Sequence, residues 1–185
     1  IIQLKIPIKV REDPEIFLER LPGICRNLVL RRENANPLWS DKEENSAKGE
    51  GLSADFCRGL AWCLCQDIYE FTKTNSWDKI DRLLSKQVSG RSIIVNDTRW
   101  VGLKDWACFM GFATNRGREI FFDSTAAVRA EVINIFESQK ELEANEFIKE
   151  LGLRLPVLDG GSYREEVMAN LQTDSWTPPA KNRLS

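Results

Sequence analysis

The sequence contains no histidine, and this absence removes several familiar kinds of catalytic site. Histidine is the commonest general base near neutral pH, and Ser–His–Asp, Cys–His and most zinc hydrolase sites depend on it. A glycine-rich Walker loop and a Gly-x-Gly-x-x-Gly fingerprint are also missing, and these motifs hold phosphates in many nucleotide-dependent enzymes. The sequence therefore predicts a protein that is not an enzyme and that needs no cofactor.

Long apolar runs and a disulfide framework are absent as well. No apolar run reaches the roughly 18–20 residues that a membrane-spanning helix needs, so we expect no membrane contact. The cysteines are odd in number and scattered, which argues against paired disulfides. Because thiols stay reduced inside the cell, we expect a cytoplasmic protein. The five are Cys25, Cys57, Cys63, Cys65 and Cys108.

Large apolar side chains are what the chain has in quantity. Of its 185 residues, 42% are hydrophobic and 29% charged, and they include six tryptophans and nine phenylalanines. Each buried aromatic side chain removes roughly 150–250 Å² from water, so we expect one well-filled core. The net charge of −2 gives no support to a strongly basic DNA-binding protein, although it leaves room for a local basic patch.

Helical spacing of apolar residues dominates the pattern, and strand-like alternation occurs in short stretches. Residues 2–10 and 92–95 predict short strands, and residues 112–122 predict a hairpin around an Asn-Gly-rich turn. Residues 33–52 are polar and predict a mobile loop. A helix that starts at Asp97 or Thr98 would turn Trp106 toward the core. The predicted helices cover about residues 14–32, 53–71, 77–88, 97–110, 124–136, 144–154 and 162–171.

The element order predicts a mainly α fold with a small β component. We expect a multi-helical domain that contains a winged-helix-like unit, formed by helices and a short hairpin. Residues 1–52 would supply an N-terminal strand, a helix and the polar loop, and residues 53–172 the helical, winged-helix-like domain. Because the chain begins at Ile1 and stops soon after two prolines, we expect a fragment of a longer protein, with residues 173–185 as a tail leading out of it.

Four basic residues are candidates for contact with DNA. Arg116 and Arg118 lie at the predicted hairpin tip, where a wing can reach phosphate or the minor groove. Arg99 and Lys104 lie on the preceding helix. That helix carries few polar residues, so it suits protein contact at least as well as base reading. The alternative for the hairpin is a solvated tip.

Two smaller features are further candidate binding sites. Arg31 and Arg32 form a basic spot, which an exposed helix end explains equally well. Asp159-Gly160-Gly161 precedes a predicted helix start, where free backbone N–H groups can bind an anion. The alternative is a turn in which Asp159 accepts hydrogen bonds from the backbone.

Metal-dependent chemistry has two weak candidates. Cys57, Cys63 and Cys65 lie close in sequence, but Cys63 and Cys65 would point roughly 200° apart on a helix, which favours core thiols over a zinc site. Acidic residues with a lysine can hold a divalent cation in a nuclease. The alternative is that the acidic residues and the lysine are exposed helix charges and helix caps. We assign no catalytic or metal-binding residue. The nuclease set is Asp123, Glu146, Lys149 and Asp159.

Several segments, in order over roughly residues 53–185, resemble DpdG-type proteins. The segments are DFCRGLAW (55–62), RWVGLKDW (99–106), FMGF (109–112), DSTAAVR (123–129) and LPVLDGGSYR (155–164). Ser124 departs from the pattern, since a proline is expected after the aspartate. DpdG-type proteins are encoded in bacterial clusters that insert 7-deazaguanine derivatives into DNA and restrict unmodified DNA. The resemblance implies anti-phage defence beside helicases and nucleases, and it implies no assigned activity.

These observations leave three functional hypotheses. The first is a non-catalytic component of a bacterial DNA modification and restriction system. Its partners would be other proteins of a defence or DNA-processing assembly, with DNA as a further candidate. The second is a winged-helix transcriptional regulator that binds DNA as a symmetric dimer. The third is a metal-dependent nuclease subunit. The sequence sets no oligomeric state.

Overall fold

The computed structural model describes residues 14–39, 51–72, 76–117, 119–138, 140–176 and 178. Over these residues the fold is mainly helical with one two-stranded antiparallel hairpin, which confirms the predicted fold class. The predicted strand at residues 2–10 lies outside the described residues, as do residues 40–50 of the predicted loop. The division at residue 52 stays a prediction.

The secondary structure elements of the described residues follow in a simple order. They are α1 (Pro14–Val29), α2 (Arg32–Ala35), α3 (Ala54–Leu64), α4 (Ile68–Phe71), α5 (Trp77–Gln87), α6 (Asp97–Phe109), β1 (Thr114–Arg116), β2 (Glu119–Phe121), α7 (Thr125–Ser138), α8 (Ala144–Arg154) and α9 (Ser162–Met168). The predicted hairpin is confirmed, and Thr114 pairs with Phe121 in its register. Helices followed by this hairpin are compatible with a winged-helix-like unit.

Three predicted helices are shorter than their apolar patterns suggested, and the last of them, α9, ends at Met168 rather than near residue 171. Helix α1 ends at Val29, three residues before the end predicted at about residue 32. The helix predicted over residues 53–71 is divided, because the Asp67 carboxylate accepts hydrogen bonds from the N–H groups of Tyr69 and Glu70 and so caps a new helix. Apolar periodicity continues through this break, which is why spacing alone did not reveal it.

The starts of α6 and α7 are fixed by short polar side chains. Asn96, rather than Asp97 or Thr98, caps α6 by accepting a hydrogen bond from the N–H of Arg99 at 3.0 Å. Asp123 accepts hydrogen bonds from the N–H and the hydroxyl of Thr125, which confirms its predicted part in starting α7. These hydrogen bonds stabilise the ionised carboxylate and lower the pKa of Asp123.

The mobile loop predicted over residues 33–52 is wrong for its first part. Residues 33–39 include most of α2, and Trp39 is buried. The guanidinium groups of Arg58 and Arg91 lie 5.7 and 5.3 Å from the centroid of the Trp39 ring. Attraction between these cations and the ring helps to hold an aromatic side chain inside a stretch of polar sequence.

The strand predicted over residues 92–95 is wrong as well. No strand is formed there, and the adjacent side chains of Ile93 and Ile94 are both buried. Within the described residues this segment pairs with no strand, and these two side chains fill the core from an irregular stretch of backbone. The apolar run therefore reflects a buried loop between α5 and α6.

Trp106 faces outward, although the sequence pattern predicted that it faces the core. Its side chain is 51% exposed. The buried face of α6 runs through Trp100, Leu103 and Ala107. Trp106 is turned about 100° from Ala107 around the helix axis, which places it beside that face rather than on it.

Aromatic rings from separate elements meet in the core. Phe71 contacts Trp62 edge to face at 5.3 Å between centroids, and Trp100 stacks on Phe122 at 5.9 Å. The indole N–H of Trp62 donates to the Gln87 side chain at 2.8 Å, so the buried polar atom of this ring is satisfied. The cluster joins α3, α4, α6 and the segment after β2.

A buried ion pair joins the first helix to the second half of the chain. The Nη2 atom of Arg26 lies 3.0 Å from Oε1 of Glu131, and both side chains are almost fully buried. Arg26 also donates to the carbonyl oxygen of Met110 at 2.9 Å. The other Glu131 oxygen lies 3.7 Å from Nη1 of Arg154 and accepts from Asn134. Glu131 thus connects α1, α7 and α8.

Replacing Arg26 by leucine is expected to destabilise the fold by about 3–5 kcal/mol, because it leaves the Glu131 carboxylate buried without its main partner. The free energy of unfolding from urea denaturation measures this. The double variant Arg26→Leu/Glu131→Leu should recover part of the loss, since no lone charge then remains inside. Arg129→Leu on the exposed face of α7 is the control and should change stability by less than about 0.5 kcal/mol. Equal losses in the Arg26 and Arg129 variants would contradict this account.

Candidate functional site

The predicted DNA-contacting residues of the hairpin are described only in part. Arg116 is exposed at the end of β1, and its guanidinium carbon lies 5.2 Å from the centroid of the Phe121 ring. The charged end of Arg116 therefore lies over the ring, while the side chain as a whole remains exposed to water. Arg118 lies outside the described residues. The hairpin therefore presents one described cation that a phosphate can reach.

The two predicted cations of α6 already have partners within the chain. Nη1 of Arg99 lies 3.0 Å from Oδ2 of Asp55 on α3. The Lys104 ammonium lies 5.3 Å from the centroid of the Trp100 ring. A nucleic acid that used these side chains would have to compete with these contacts.

An apolar groove runs between α3 and α6. We call it the α3–α6 groove, and its volume is about 580 Å³. The Arg99–Asp55 ion pair lies in its wall, and Gly59 of α3 allows the two helices to approach, since a Cβ there would lie 2.9 Å from a Leu103 methyl carbon. Trp106 stands at the groove and meets Phe109 edge to face at 5.7 Å. Its lining includes Leu52, Phe56, Ile93, Val95, Leu103 and Trp106.

A second, larger cavity lies where α2, α8 and α9 meet. We call it the α2–α8 cleft, and its volume is about 960 Å³. It brings Arg31 and Arg32 to the same surface as Lys149, although these residues are far apart in sequence. The Gly160 turn and the first residues of α9 complete the lining.

Local packing fixes the α9 wall of this cleft. The Tyr163 hydroxyl donates to the carbonyl oxygen of Leu30 at 2.9 Å, which ties α9 to the end of α1. The N–H groups of Tyr163 and Arg164 both donate to the carbonyl oxygen of Pro156 at 3.0 Å. A Cβ at Gly161 would lie 2.4 Å from that same oxygen, so only glycine permits the approach.

The glycine turn forms as predicted, but Asp159 plays a different part. Gly160 has φ +77, a conformation that favours glycine. Asp159 pairs with the Arg164 guanidinium at 2.8 Å instead of accepting a hydrogen bond from the backbone. The N–H of Gly161 donates to Leu158. Since the N–H groups of Gly161, Tyr163 and Arg164 have internal acceptors, these three donors are not available to an anion at the turn.

The candidate metal ligands do not form a metal site in the described part of the chain. No group of three or more Cys, Asp or Glu side chains there is placed to hold an ion. Burial raises the pKa of Cys57 and of Cys65 to about 12 and that of Cys63 well above its usual value. Thiols in this state are poor zinc ligands and weak nucleophiles. All five cysteines are free.

The carboxylates of the nuclease hypothesis have structural partners or lie apart. Asp123 bonds Thr125 at the start of α7, and Asp159 pairs with Arg164. Lys149 lines the α2–α8 cleft, whereas Glu146 contributes to a separate shallow surface. The other interpretation offered in the sequence analysis, helix caps and exposed charges, fits better: Asp123 starts α7, and Glu146 and Lys149 are exposed on α8.

Comparison with known proteins identifies the family. A family model described as DpdG-like matches residues 2–185. The chain belongs to the DpdG-like family. Membership associates it with the Dpd system of 7-deazaguanine DNA modification. No curated protein and no solved structure matches the chain.

Several of the DpdG-like segments seen in the sequence contribute residues to the lining of the two cavities. The segment at 99–106 supplies one wall of the α3–α6 groove, and the segment at 155–164 supplies the floor of the α2–α8 cleft. Within the described residues, no helix combines the length and the apolar character needed to cross a bilayer.

Proposed function

We propose that this DpdG-like chain is a non-catalytic component of the Dpd modification and restriction system, and that it binds another protein of that system. The observation that carries the proposal is the half-exposed Trp106 beside the α3–α6 groove. Tryptophan is enriched among the residues that dominate the energy of protein interfaces. A tryptophan at an apolar groove is typical of a surface that a partner covers.

The surroundings of Trp106 support the same proposal. Phe109, which contacts the Trp106 ring, and Val95 are also substantially exposed, and Leu52 is the most exposed large apolar residue of the groove. The Arg99–Asp55 ion pair adds a polar group at the wall of this apolar patch. An apolar centre with polar neighbours is the usual composition of a protein interface.

Contact with DNA is a second part of the proposal. It rests on Arg116 and Arg118 of the hairpin, with Arg99 and Lys104 as further phosphate contacts. Arg116 supports it best, because it is exposed at the end of β1, whereas Arg99 pairs with Asp55 and Lys104 is partly buried over the Trp100 ring. Such contacts would position the chain on DNA without reading its sequence.

Trp106→Ser is expected to weaken binding of the partner by about 2 kcal/mol or more, which is about thirtyfold, because it removes the largest side chain of the proposed interface. The measurement is co-purification, followed by titration, with each protein encoded in the same cluster. Ile133→Ser is the matched control, since Ile133 is a 59% exposed apolar residue of α7 that does not line the groove. Loss of binding in both variants, or in neither, would refute the interface.

Arg116→Ala/Arg118→Ala is expected to weaken binding to duplex DNA and to reduce its salt dependence, because two phosphate contacts are lost. A gel-shift series at several salt concentrations measures both effects. Arg82→Ala/Lys86→Ala on the exposed side of α5 removes the same charge and is the control. Unchanged binding in the hairpin variant would eliminate the hairpin as the contact, and sequence-specific binding by a dimer would favour the regulator hypothesis.

A further inference from the structure

The α2–α8 cleft carries positive and negative side chains on different walls, and neither set takes part in the function proposed above. Positive side chains come from α2, from the residue just before it and from α8, and negative side chains come from α9. The cations are Arg31, Arg32, Lys149 and Arg154, and the carboxylates are Glu165 and Glu166. A concave surface with opposite charges on different walls suits a short ligand whose two ends differ in chemistry.

Three of the four cations have no ion-pair partner among the described residues. Arg154 is neutralised by Glu150 at 2.8 Å and by Glu131 at 3.7 Å. No comparable contact forms at Arg31, Arg32 or Lys149 within the parts of the chain that the structure describes. Unpaired cations gathered in a cavity attract an anion, and the two guanidinium groups present donors in the forked arrangement that phosphate oxygens match.

The cleft also contains an acceptor that lacks a donor. The Oδ1 atom of Asn36 is buried and makes no hydrogen bond with the described residues, and Asn36 lines the cleft. A buried acceptor without a partner is unfavourable, so a rotation of the Asn36 side chain that turns this oxygen toward a ligand N–H or O–H group would remove this cost. The Glu165 and Glu166 carboxylates can accept from similar groups.

We propose that the α2–α8 cleft binds a nucleoside phosphate. Its phosphate would lie against Arg31, Arg32 and Lys149. The amino or hydroxyl groups of its base and sugar would donate to Asn36 and to the α9 carboxylates. The volume of about 960 Å³ falls at the upper end of the range for small-molecule sites and accommodates such a ligand.

The carboxylates of α9 favour a single nucleotide over a nucleic acid strand. A strand carries a phosphate at every step, and its next phosphates would approach Glu165 and Glu166. Like charges at close range disfavour binding, whereas a mononucleotide places its charge at one end only. This site is separate from Trp106 and from the hairpin, so the proposal does not rest on the proposed function.

Calorimetric titration of the purified chain with nucleoside 5′-monophosphates tests the proposal. At least one of them should bind, and the unphosphorylated nucleoside should bind at least about tenfold more weakly, because it lacks the charge-assisted hydrogen bonds. Arg32→Gln/Lys149→Gln should weaken binding of the monophosphate by at least about tenfold. Both side chains are exposed, so this variant should keep its thermal midpoint.

A control variant and two further ligands separate a nucleoside phosphate site from the alternatives. Arg82→Gln/Lys86→Gln on α5 removes the same charge away from the cleft and should bind the monophosphate like the unaltered chain. Absence of binding by every monophosphate, or equal weakening in the two variants, would overturn the site. Inorganic phosphate bound as tightly as the monophosphate would overturn the nucleoside part. Tighter binding of a short single-stranded oligonucleotide through Arg32 and Lys149 would show a strand site instead.

Discussion

The carboxylate of Glu131 is the contact on which the placement of α8, one wall of the α2–α8 cleft, relative to α1 depends. One of its oxygens pairs with Arg26 of α1, and the other lies near Arg154 of α8. Removing charges from water is costly, and only close pairing offsets that cost. The pair therefore stabilises one relative placement of these helices, and its value lies in specifying the arrangement as much as in adding stability.

The placement that Glu131 sets has consequences for both surfaces. Arg26 also bonds the Met110 carbonyl at the end of α6, and Met110 lines the α3–α6 groove. Tyr163 holds α9 to the last residues before α2, which brings the cationic and anionic walls of the cleft together. A change at this ion pair is thus expected to reach the groove through Met110 and the cleft through Arg154.

The sequence predicted the secondary structure elements better than it predicted which residues of different elements lie together in space. The hairpin, the α7 start at Asp123 and the core position of Trp100 follow from local signals and were confirmed. Arg31 and Lys149 were each visible as charges, but their meeting depends on packing between residues more than a hundred positions apart. Trp106 was misplaced because a helical pattern rich in large apolar residues does not show where its buried face ends.

Hydrogen–deuterium exchange on the Glu131→Gln variant tests the central claim most directly. The substitution keeps the shape of the side chain and removes the charge that pairs with Arg26. If Glu131 holds the helices in place, the amides of both Pro14–Val29 and Ala144–Arg154 should exchange faster than in the unaltered chain, while Trp77–Gln87 keeps its protection. Faster exchange confined to Thr125–Ser138, with the other two helices unchanged, would contradict the account.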